Sequence, residues 1–431
     1  MDADVIIIGG GFGGLSTGAL LASKGVNVLL LDKNRVLGGR AKSADKAGFV
    51  VDNGLHSNRF AADGPAAAVL KSVGQNLEFV KEEGSLSYIY HKRKLIKRPS
   101  SAQEFLTTEL LSEQARAEVV KVLVQMSLEN PDEWYPRTFL EFIHKFTNNK
   151  EAKEFFRLIG LFIIAPQIEE TSAGEVMYFM QQAQKSVQSV ATPIGGAKQI
   201  IEKLSAIIEG RGQIRKGAKV DQILVKQGKV TGVKVGKKVY TSKAVVFTPP
   251  VQQLFNVIEP RHFSPTFVNY SRNLIPTSGV SIDFGLGQQV SDLSGSVADV
   301  DLMVMGSFPS NLDPSLAPRG KQLSTWVMIL PYHHLEGKGA AKNALSRLRS
   351  FISELYPRFF GCVEWQRPQV YPILDGVLLK VGQAYPDRHQ LRSPHVENLF
   401  FAGDTAKAKG CSGDIAFNAA LELSGLIPSS F

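Results

Sequence analysis

Three glycines near the start of the chain, and one acid after them, have the spacing of a dinucleotide site. Gly9, Gly11 and Gly14 form the pattern G-x-G-x-x-G, and Asp32 lies 18 residues after Gly14. Gly9 permits a tight turn, Gly11 lets a pyrophosphate approach the backbone, and Gly14 lets a helix pack closely on a sheet. A carboxylate at Asp32 can accept hydrogen bonds from a ribose diol, and it would repel the 2′-phosphate of NADP. These residues predict a bound dinucleotide and leave NAD and FAD as alternatives.

A second glycine-rich segment lies near the end of the chain, where residues 399–425 read LFFAGDTAKAKGCSGDIAFNAALELSG. A strand-like run ends at Gly403 and Asp404, a loop of small residues follows, and helical spacing begins near residues 412–414. A helix N-terminus offers free backbone N–H groups and the positive end of the helix dipole. The chain therefore carries two strand–loop–helix units that can each hold a negative charge.

Buried strands and helices must position both units. Val5–Ile8 is a continuous β-branched run, which is typical of a strand buried on both faces of a parallel sheet. Helical spacing over residues 15–24 and a second apolar run over residues 26–31 follow, so that Asp32 lies at a strand tip. A further helix is predicted over residues 198–209 and a strand at AVVF, residues 244–247. The pattern predicts an α/β fold with a Rossmann-type, doubly wound sheet.

The residues after the second predicted strand carry a resemblance to a known family. Gly38, Gly39 and Arg40 follow the acid closely, and residues 51–57 read VDNGLHS. An acid followed by G-G-R resembles the flavin amine oxidase and phytoene desaturase superfamily, although Asp32 stands where Glu is more usual. The C-terminal pattern looks closer to the phytoene desaturase-like branch. The match covers the cofactor segments well and the substrate half poorly.

The resemblance implies FAD, bound non-covalently, with its adenine half at the first glycine unit and its flavin half at the second. NAD binding would not require the second glycine unit. Val220 is expected in a strand whose backbone approaches the adenine, and Arg40 and Asp404 are expected to contact the cofactor. The implied cofactor-binding residues are Gly9, Gly11, Phe12, Gly13, Gly14, Asp32, Lys33, Gly38, Gly39, Arg40, Asn53, Gly54, Leu55, Val220, Gly403, Asp404, Gly413, Asp414 and Ile415.

The length of 431 residues suggests two closely joined domains. We expect residues 1–80, 190–260 and 375–431 to form a discontinuous FAD-binding domain. Residues 81–189 and 261–374 are expected to form an α+β substrate domain. Its first part reads as a hairpin followed by helices, and its second part alternates as strands do.

Composition and charge limit the partners. The chain has 49 Lys and Arg against 40 Asp and Glu, a net charge of +9, but the basic residues are scattered and only residues 91–99 are densely basic. We expect no nucleic-acid partner, and a basic face for anionic lipid stays open beside an ordinary solvated hairpin. We also predict neither a signal peptide nor a transmembrane segment, and a cytoplasmic protein whose association with membranes stays open.

Two cysteines, Cys362 and Cys411, exclude a disulfide framework and a four-thiolate zinc site, and we predict no metal. His56 is the ionisable residue expected near the flavin, where it could move a proton or orient the substrate. The alternative is that His56 only packs or binds backbone. Cys411 is expected to be a small buried residue in the flavin loop and not a covalent anchor.

The resemblance leaves three functions open. The first is FAD-dependent desaturation of a lipophilic, isoprenoid- or carotenoid-type molecule, which requires a dry apolar slot beside flavin N5. The second is oxidation of a small amine, for which Lys321 is a candidate for the lysine that such enzymes place near N5. The third is isomerisation or FAD binding without net redox. Oxygen, a quinone and NAD(P) remain alternatives for the electron acceptor.

Overall fold

The computed structural model describes residues 1–54, 58–80, 87–165 and 167–428. The α-helices are α1 (Phe12–Ser23), α2 (Pro65–Ser72), α3 (Ala102–Thr107), α4 (Glu113–Leu128), α5 (Phe139–Phe146), α6 (Lys150–Phe162), α7 (Ala173–Lys185), α8 (Ala197–Glu209), α9 (Pro265–Asn273), α10 (Pro309–Leu312), α11 (Ala340–Leu355) and α12 (Gly413–Leu426). The strands are β1 (Val5–Ile8), β2 (Val28–Asp32), β3 (Ser43–Lys46), β4 (Phe49–Asp52), β5 (Asn58–Arg59), β6 (Tyr88–His91), β7 (Lys94–Lys97), β8 (Val190–Ala191), β9 (Gln213–Lys216), β10 (Gln222–Lys226), β11 (Lys229–Val235), β12 (Lys238–Thr241), β13 (Ala244–Phe247), β14 (Ser278–Leu286), β15 (Ser296–Asp299), β16 (Val304–Ser307), β17 (Gln322–Leu330), β18 (Val363–Tyr371) and β19 (Leu399–Phe401).

A parallel sheet forms the first core, in the order β19-β13-β1-β2-β9. Every neighbouring pair in this sheet is parallel, and its central strands are buried along their whole length. Helix α1 packs on α8 and on α12, and an antiparallel sheet, β10-β11-β12, contacts β13. The predicted α/β, Rossmann-type fold built from distant segments is confirmed. The structure begins α1 at Phe12, earlier than predicted, and places Asp32 as the last residue of β2.

A mixed sheet of seven strands forms the second core, in the order β18-β14-β17-β16-β15-β6-β7. The hairpin that was predicted at the start of residues 81–189 is formed by β6 and β7, and helices follow it, as expected. Side chains alternate along β17: Trp326 and Met328 pack toward α11, while Thr325 and Val327 line a large cavity. The α+β composition of this half is confirmed.

Helix α11 lies within residues 261–374, where we expected mainly strands. Its buried residues Ala344, Leu348, Phe351 and Ile352 recur at helical spacing and pack on the mixed sheet. The prediction for this stretch was therefore incomplete. The segments on either side of α11 alternate as strands do, whereas the apolar residues of α11 itself recur with a period of 3.6 residues.

The parallel sheet draws its strands from residues 5–32, 213–247 and 399–401, while the mixed sheet uses residues 88–97 and 278–371. We propose that residues 1–80, 190–260 and 375–431 form the cofactor domain and residues 81–189 and 261–374 the substrate domain. Of the helices in the described ranges, none has the length and apolar character needed to cross a lipid bilayer.

Candidate functional site

A cavity of about 1690 Å³ opens at the carboxyl ends of β1, β2, β13 and β19 and extends to the mixed sheet. Most of the predicted site residues line it, from both glycine units and from the G-G-R loop. These are Gly9, Gly11, Phe12, Gly13, Asp32, Lys33, Gly38, Gly39, Arg40, Asn53, Gly54, Val220, Gly403, Asp404, Gly413 and Asp414. Gly14 and Ile415 lie behind this surface, and Leu55 and His56 fall outside the described residues. The structure therefore brings together glycine units that are separated by almost the whole chain.

The first glycine loop is tight where the sequence predicts it. Gly9 has φ +102°, a conformation that favours glycine, and a Cβ on Gly14 would lie 1.9 Å from the Gly9 carbonyl oxygen. Gly38 N donates to Gly10 O at 2.7 Å, so the G-G-R loop is fastened beside it. Gly11 differs, because a Cβ there would meet only Gly39 Cα, at 3.9 Å. The space in front of Gly11 is thus open to a ligand.

Asp32 fastens the same loop. Its Oδ2 accepts from Gly10 N at 2.6 Å and its Oδ1 accepts from Asn34 N at 2.6 Å, and the side chain is buried while lining the cavity. A carboxylate oxygen can accept more than one hydrogen bond. The contact between Asp32 and a ribose diol therefore stays a prediction that this arrangement permits.

The two glycine units touch each other. A Cβ on Gly13 would lie 2.9 Å from Gly403 Cα, so a glycine is required at this contact. The rings of Phe12, in the first turn of α1, and Phe417, in the second turn of α12, lie 4.8 Å apart. Neither helix has a side-chain hydrogen bond at its N-cap. Two helix N-termini with available N–H groups thus open onto one cavity, as a long dinucleotide requires.

Arg40 and Asp404, which the resemblance assigns to cofactor contacts, bind each other. Arg40 Nη2 lies 2.6 Å from Asp404 Oδ1, and Asp404 Oδ2 accepts from Gly376 N at 2.6 Å. Arg40 also donates to Leu374 O at 3.1 Å. The pair links the G-G-R loop to the C-terminal loop at the cavity surface. Direct cofactor contacts by Arg40 and Asp404 stay predictions.

A group of buried charges lies beside α12, and only Asp414 among its members was predicted from the sequence. Arg59 Nη1 lies 3.8 Å from Asp414 Oδ2, and Ser412 Oγ donates to Asp375 Oδ2 at 2.8 Å. Burial raises the pKa of Asp414 to about 6 against the opposing charge of Arg59, and burial also raises the pKa of Asp375. Asp414 Oδ2 has no hydrogen-bond partner among the residues the structure describes. Arg59 and Asp375 belong to no motif. The one signal in the sequence was that each is a charged residue among apolar and small ones.

The prediction that Val220 lies in a strand is wrong. Strand β9 ends at Lys216 and β10 begins at Gln222, and Val220 lies in the irregular segment between them. The bond from Ala218 N to Asp32 O at 2.7 Å draws this segment across the tip of β2. Val220 is buried and lines the cavity, so its predicted place beside the cofactor site does not depend on a strand.

Cys411 is buried in the C-terminal loop, as expected. Burial raises the pKa of its thiol to about 12, and the positive charge of Arg59 opposes this only in part. A protonated thiol is a poor nucleophile. This favours the prediction that the cofactor is not attached through Cys411.

The raised pKa of Asp414 predicts a pH effect on the FAD-free protein. The folded state holds this proton more tightly than the unfolded chain, so stability falls as pH rises from about 4 to about 6. Asp414→Asn removes that dependence and stabilises the FAD-free protein at pH 7.5 by an amount on the order of 2–3 kcal/mol. Urea unfolding at pH 4 and pH 7.5 measures both quantities. Asp375 and the other buried acids remain in both proteins, so only the contribution of Asp414 differs between them. Equal pH dependence of the unfolding free energy in wild type and variant would therefore contradict its assignment to Asp414.

These residues fit FAD. The open space at Gly11 suits a pyrophosphate, Asp32 lies where a ribose is expected, and α12 supplies a second positive helix end for the flavin half. Fold and site together define an FAD-dependent oxidoreductase. The family model of the flavin containing amine oxidoreductases matches residues 12–422, and the chain belongs to that family.

Relatives and solved structures agree with this placement. The chain is 51% identical over 51 residues to a carotenoid 3,4-desaturase of Haloarcula japonica, covering 12% of this chain and 10% of the relative. It is 24% identical over 391 residues to an inactive all-trans-retinol 13,14-reductase of Danio rerio, covering 73% of this chain and 63% of the relative. The chain thus spans less than two thirds of either curated relative. A crystal structure of an oxidoreductase from Methanosarcina mazei has the same fold, with a TM-score of 0.79, 20% identity and coverage of 97% of this chain and 99% of that one.

Proposed function

We propose that this oxidoreductase dehydrogenates a lipophilic, isoprenoid-type chain held in the cavity beside the flavin. The observation that carries the proposal is one side of the cavity, which we call the apolar wall. It consists of six side chains from α4 and α6: Val120, Leu123, Phe155, Leu158, Ile159 and Phe162. Between residues 105 and 190, no described residue that lines the cavity has an ionisable side chain. Such a surface suits a substrate that needs orientation and exclusion of water more than acid–base help.

Dehydrogenation removes two hydrogens from neighbouring carbons, and FAD, when bound, accepts one of them as a hydride. The chain must then orient the substrate, keep water away and accept a proton. The apolar wall does the first two. Phe162 O accepts a hydrogen bond from Arg59 Nη2 at 3.3 Å, so the wall ends at the buried charges beside α12. His56, our candidate for the proton, lies outside the described residues and stays a prediction.

The relatives support a lipophilic substrate, because a carotenoid desaturase and an inactive retinol reductase are named among them. Oxidation of a small amine has less support from the structure. Lys321, our candidate for a lysine near the flavin, pairs with Glu364 at 2.6 Å and does not line the cavity. The amine oxidase and the isomerase therefore become outcomes of the test.

Product analysis tests the proposal. The FAD-loaded protein is incubated with isoprenoid chains and with amines, and products are examined by mass spectrometry. We expect an isoprenoid product lighter by two hydrogens, with peroxide formed only if oxygen is the acceptor. A rearranged product of unchanged mass would replace the proposal with an isomerase, and turnover of amines alone would replace it with an amine oxidase.

The rim of the cavity predicts a contact with a membrane surface, from which an apolar substrate could enter. Val124 and Val187 line the cavity yet are 49% and 99% exposed, and Leu128, one helical turn after Val124, is 73% exposed. The basic hairpin of residues 91–99 leads into α3, whose Phe105 also lines the cavity. Apolar side chains beside basic ones favour anionic membranes.

Replacing Val124 and Leu128 with aspartate should weaken binding to vesicles of phosphatidylglycerol and phosphatidylcholine by about 10-fold, because two apolar contacts are lost and two like charges gained. Co-sedimentation measures this, and FAD content confirms that the variant is folded. Val239→Asp is the matched control, since Val239 is 47% exposed on β12, in a different sheet. A wild-type protein that does not sediment with these vesicles would contradict the prediction.

A further inference from the structure

Arg98 lines the cavity and has no ion-pair partner among the residues that the structure describes. Two other arginines line the cavity, and each has a carboxylate: Arg40 lies 2.6 Å from Asp404, and Arg59 lies 3.8 Å from Asp414. Among the residues the structure describes, no carboxylate lies within 4.0 Å of the Arg98 guanidinium, and its Nε has no hydrogen-bond partner. Arg98 therefore differs from Arg40 and Arg59, which each lie beside a carboxylate.

The neighbouring carboxylate is already occupied. Glu104 accepts from Lys97 Nζ at 2.7 Å and from Ser100 N and Oγ, each at 2.7 Å. These bonds, the one from Lys97 first, lower the pKa of Glu104 to about 2. Glu104 therefore does not form an ion pair with Arg98. Burial lowers the pKa of Arg98, and the charge of Glu104 opposes this only in part.

The surroundings of Arg98 join it to the apolar wall. Its Cζ lies 4.6 Å from the ring centroid of Phe162, which holds the guanidinium by a cation–π contact. Ser87 Oγ and Ser296 Oγ, 3.1 Å apart, line the cavity with it. Arg98 and these hydroxyls thus make one polar end in a cavity whose adjoining surface is apolar.

We propose that Arg98 binds an anionic end group, a carboxylate or a phosphate, on the lipophilic substrate. The planar guanidinium binds two oxygens of either group at once, and a partly buried cation gains more from an ionised partner than from a neutral one. The proposal rests on the proposed function, because the apolar wall must hold the rest of the chain. It narrows the substrate class from any isoprenoid-type lipid to an amphiphile with one charged end.

Ligands that differ only at one end test this. Hexadecanoate, hexadecyl phosphate and hexadecanol are titrated into the FAD-loaded full chain, and the change in flavin absorbance gives each dissociation constant. We expect wild type to bind at least one of the two ionised chains about 10-fold more tightly than the alcohol. The tighter of the two identifies the end group. Arg98→Met should lose that preference while binding the alcohol as before, and Arg98→Lys should keep part of it.

Arg93→Met is the matched control, because the Arg93 side chain is 85% exposed in the same hairpin. It should bind all three chains as wild type does. Equal affinity of wild type for charged and neutral chains would overturn the role of Arg98 without any variant. A preference that persists in Arg98→Met, or a variant that loses FAD itself, would also overturn it. Failure of all three chains to bind would instead overturn the proposed function.

Discussion

Gly11→Val is expected to weaken FAD binding strongly and leave the fold intact. The backbone at Gly11, φ −81° and ψ −175°, suits any residue, and a Cβ there meets only Gly39 Cα at 3.9 Å. The valine side chain would instead fill the space in front of α1 where the pyrophosphate is expected. We expect the FAD dissociation constant to rise by about 100-fold or more. Titration of FAD into the cofactor-free protein measures this, with circular dichroism as the check on folding.

Gly14→Ala is the matched control, because it adds a smaller group to the same loop. Its Cβ would lie 1.9 Å from the backbone oxygen of Gly9, which cannot move without opening the turn. This variant should lose about 3 kcal/mol or more of unfolding free energy, so its loss of FAD would come with loss of fold. A Gly11→Val protein that keeps FAD at wild-type affinity would refute the placement of the pyrophosphate.

Arg388→Leu is expected to destabilise the protein by about 3–5 kcal/mol, the range for breaking one side of a buried ion pair. The Arg388 and Glu175 side chains are 0% and 1% exposed and bind each other. Burial raises the pKa of Glu175 against the pull of Arg388. Arg388 also donates to Ala408 O at 2.8 Å, so the pair ties α7 to the C-terminal glycine loop. Urea unfolding of the FAD-free protein measures the loss.

The double variant Glu175→Leu with Arg388→Leu is the control. Removing both charges leaves no uncompensated ion, so the double variant should recover much of the stability lost in Arg388→Leu. The loss in Arg388→Leu should also shrink at low pH, where the unpaired Glu175 gains a proton. A loss below about 1 kcal/mol in the single variant would show that the pair contributes little.

The cofactor half was predictable because its signals are local. Gly9, Gly14 and Asp32 lie within one strand–loop–helix–strand unit, and each has a specific backbone or hydrogen-bonding task. The strand around Val220 was expected from the family resemblance, but the bond from Ala218 N to Asp32 O draws this segment across the tip of β2. The spacing of apolar residues along the sequence does not reveal such a tertiary contact.

The ion pairs among the charged residues could not be predicted, because the two partners of each pair are far apart in the chain. Arg40 and Asp404 are 364 positions apart, and Arg388 and Glu175 are 213 apart. The role of Arg98 could not be predicted for a different reason, which is its local sequence. It lies in a basic run that reads as a solvated hairpin, and only its contact with Phe162 shows that it lines the cavity. Pairing and burial both depend on the folded chain.

Anaerobic titration shows most directly whether this protein uses FAD to oxidise an apolar chain. The purified protein is loaded with FAD and titrated without oxygen, first with isoprenoid chains and then with amines, while the flavin absorption bands are recorded. We expect the isoprenoid chains to bleach the bands in proportion to the product formed, and the amines to leave the bands unchanged. Bleaching by amines alone, or a protein that cannot be loaded with FAD, would contradict this expectation.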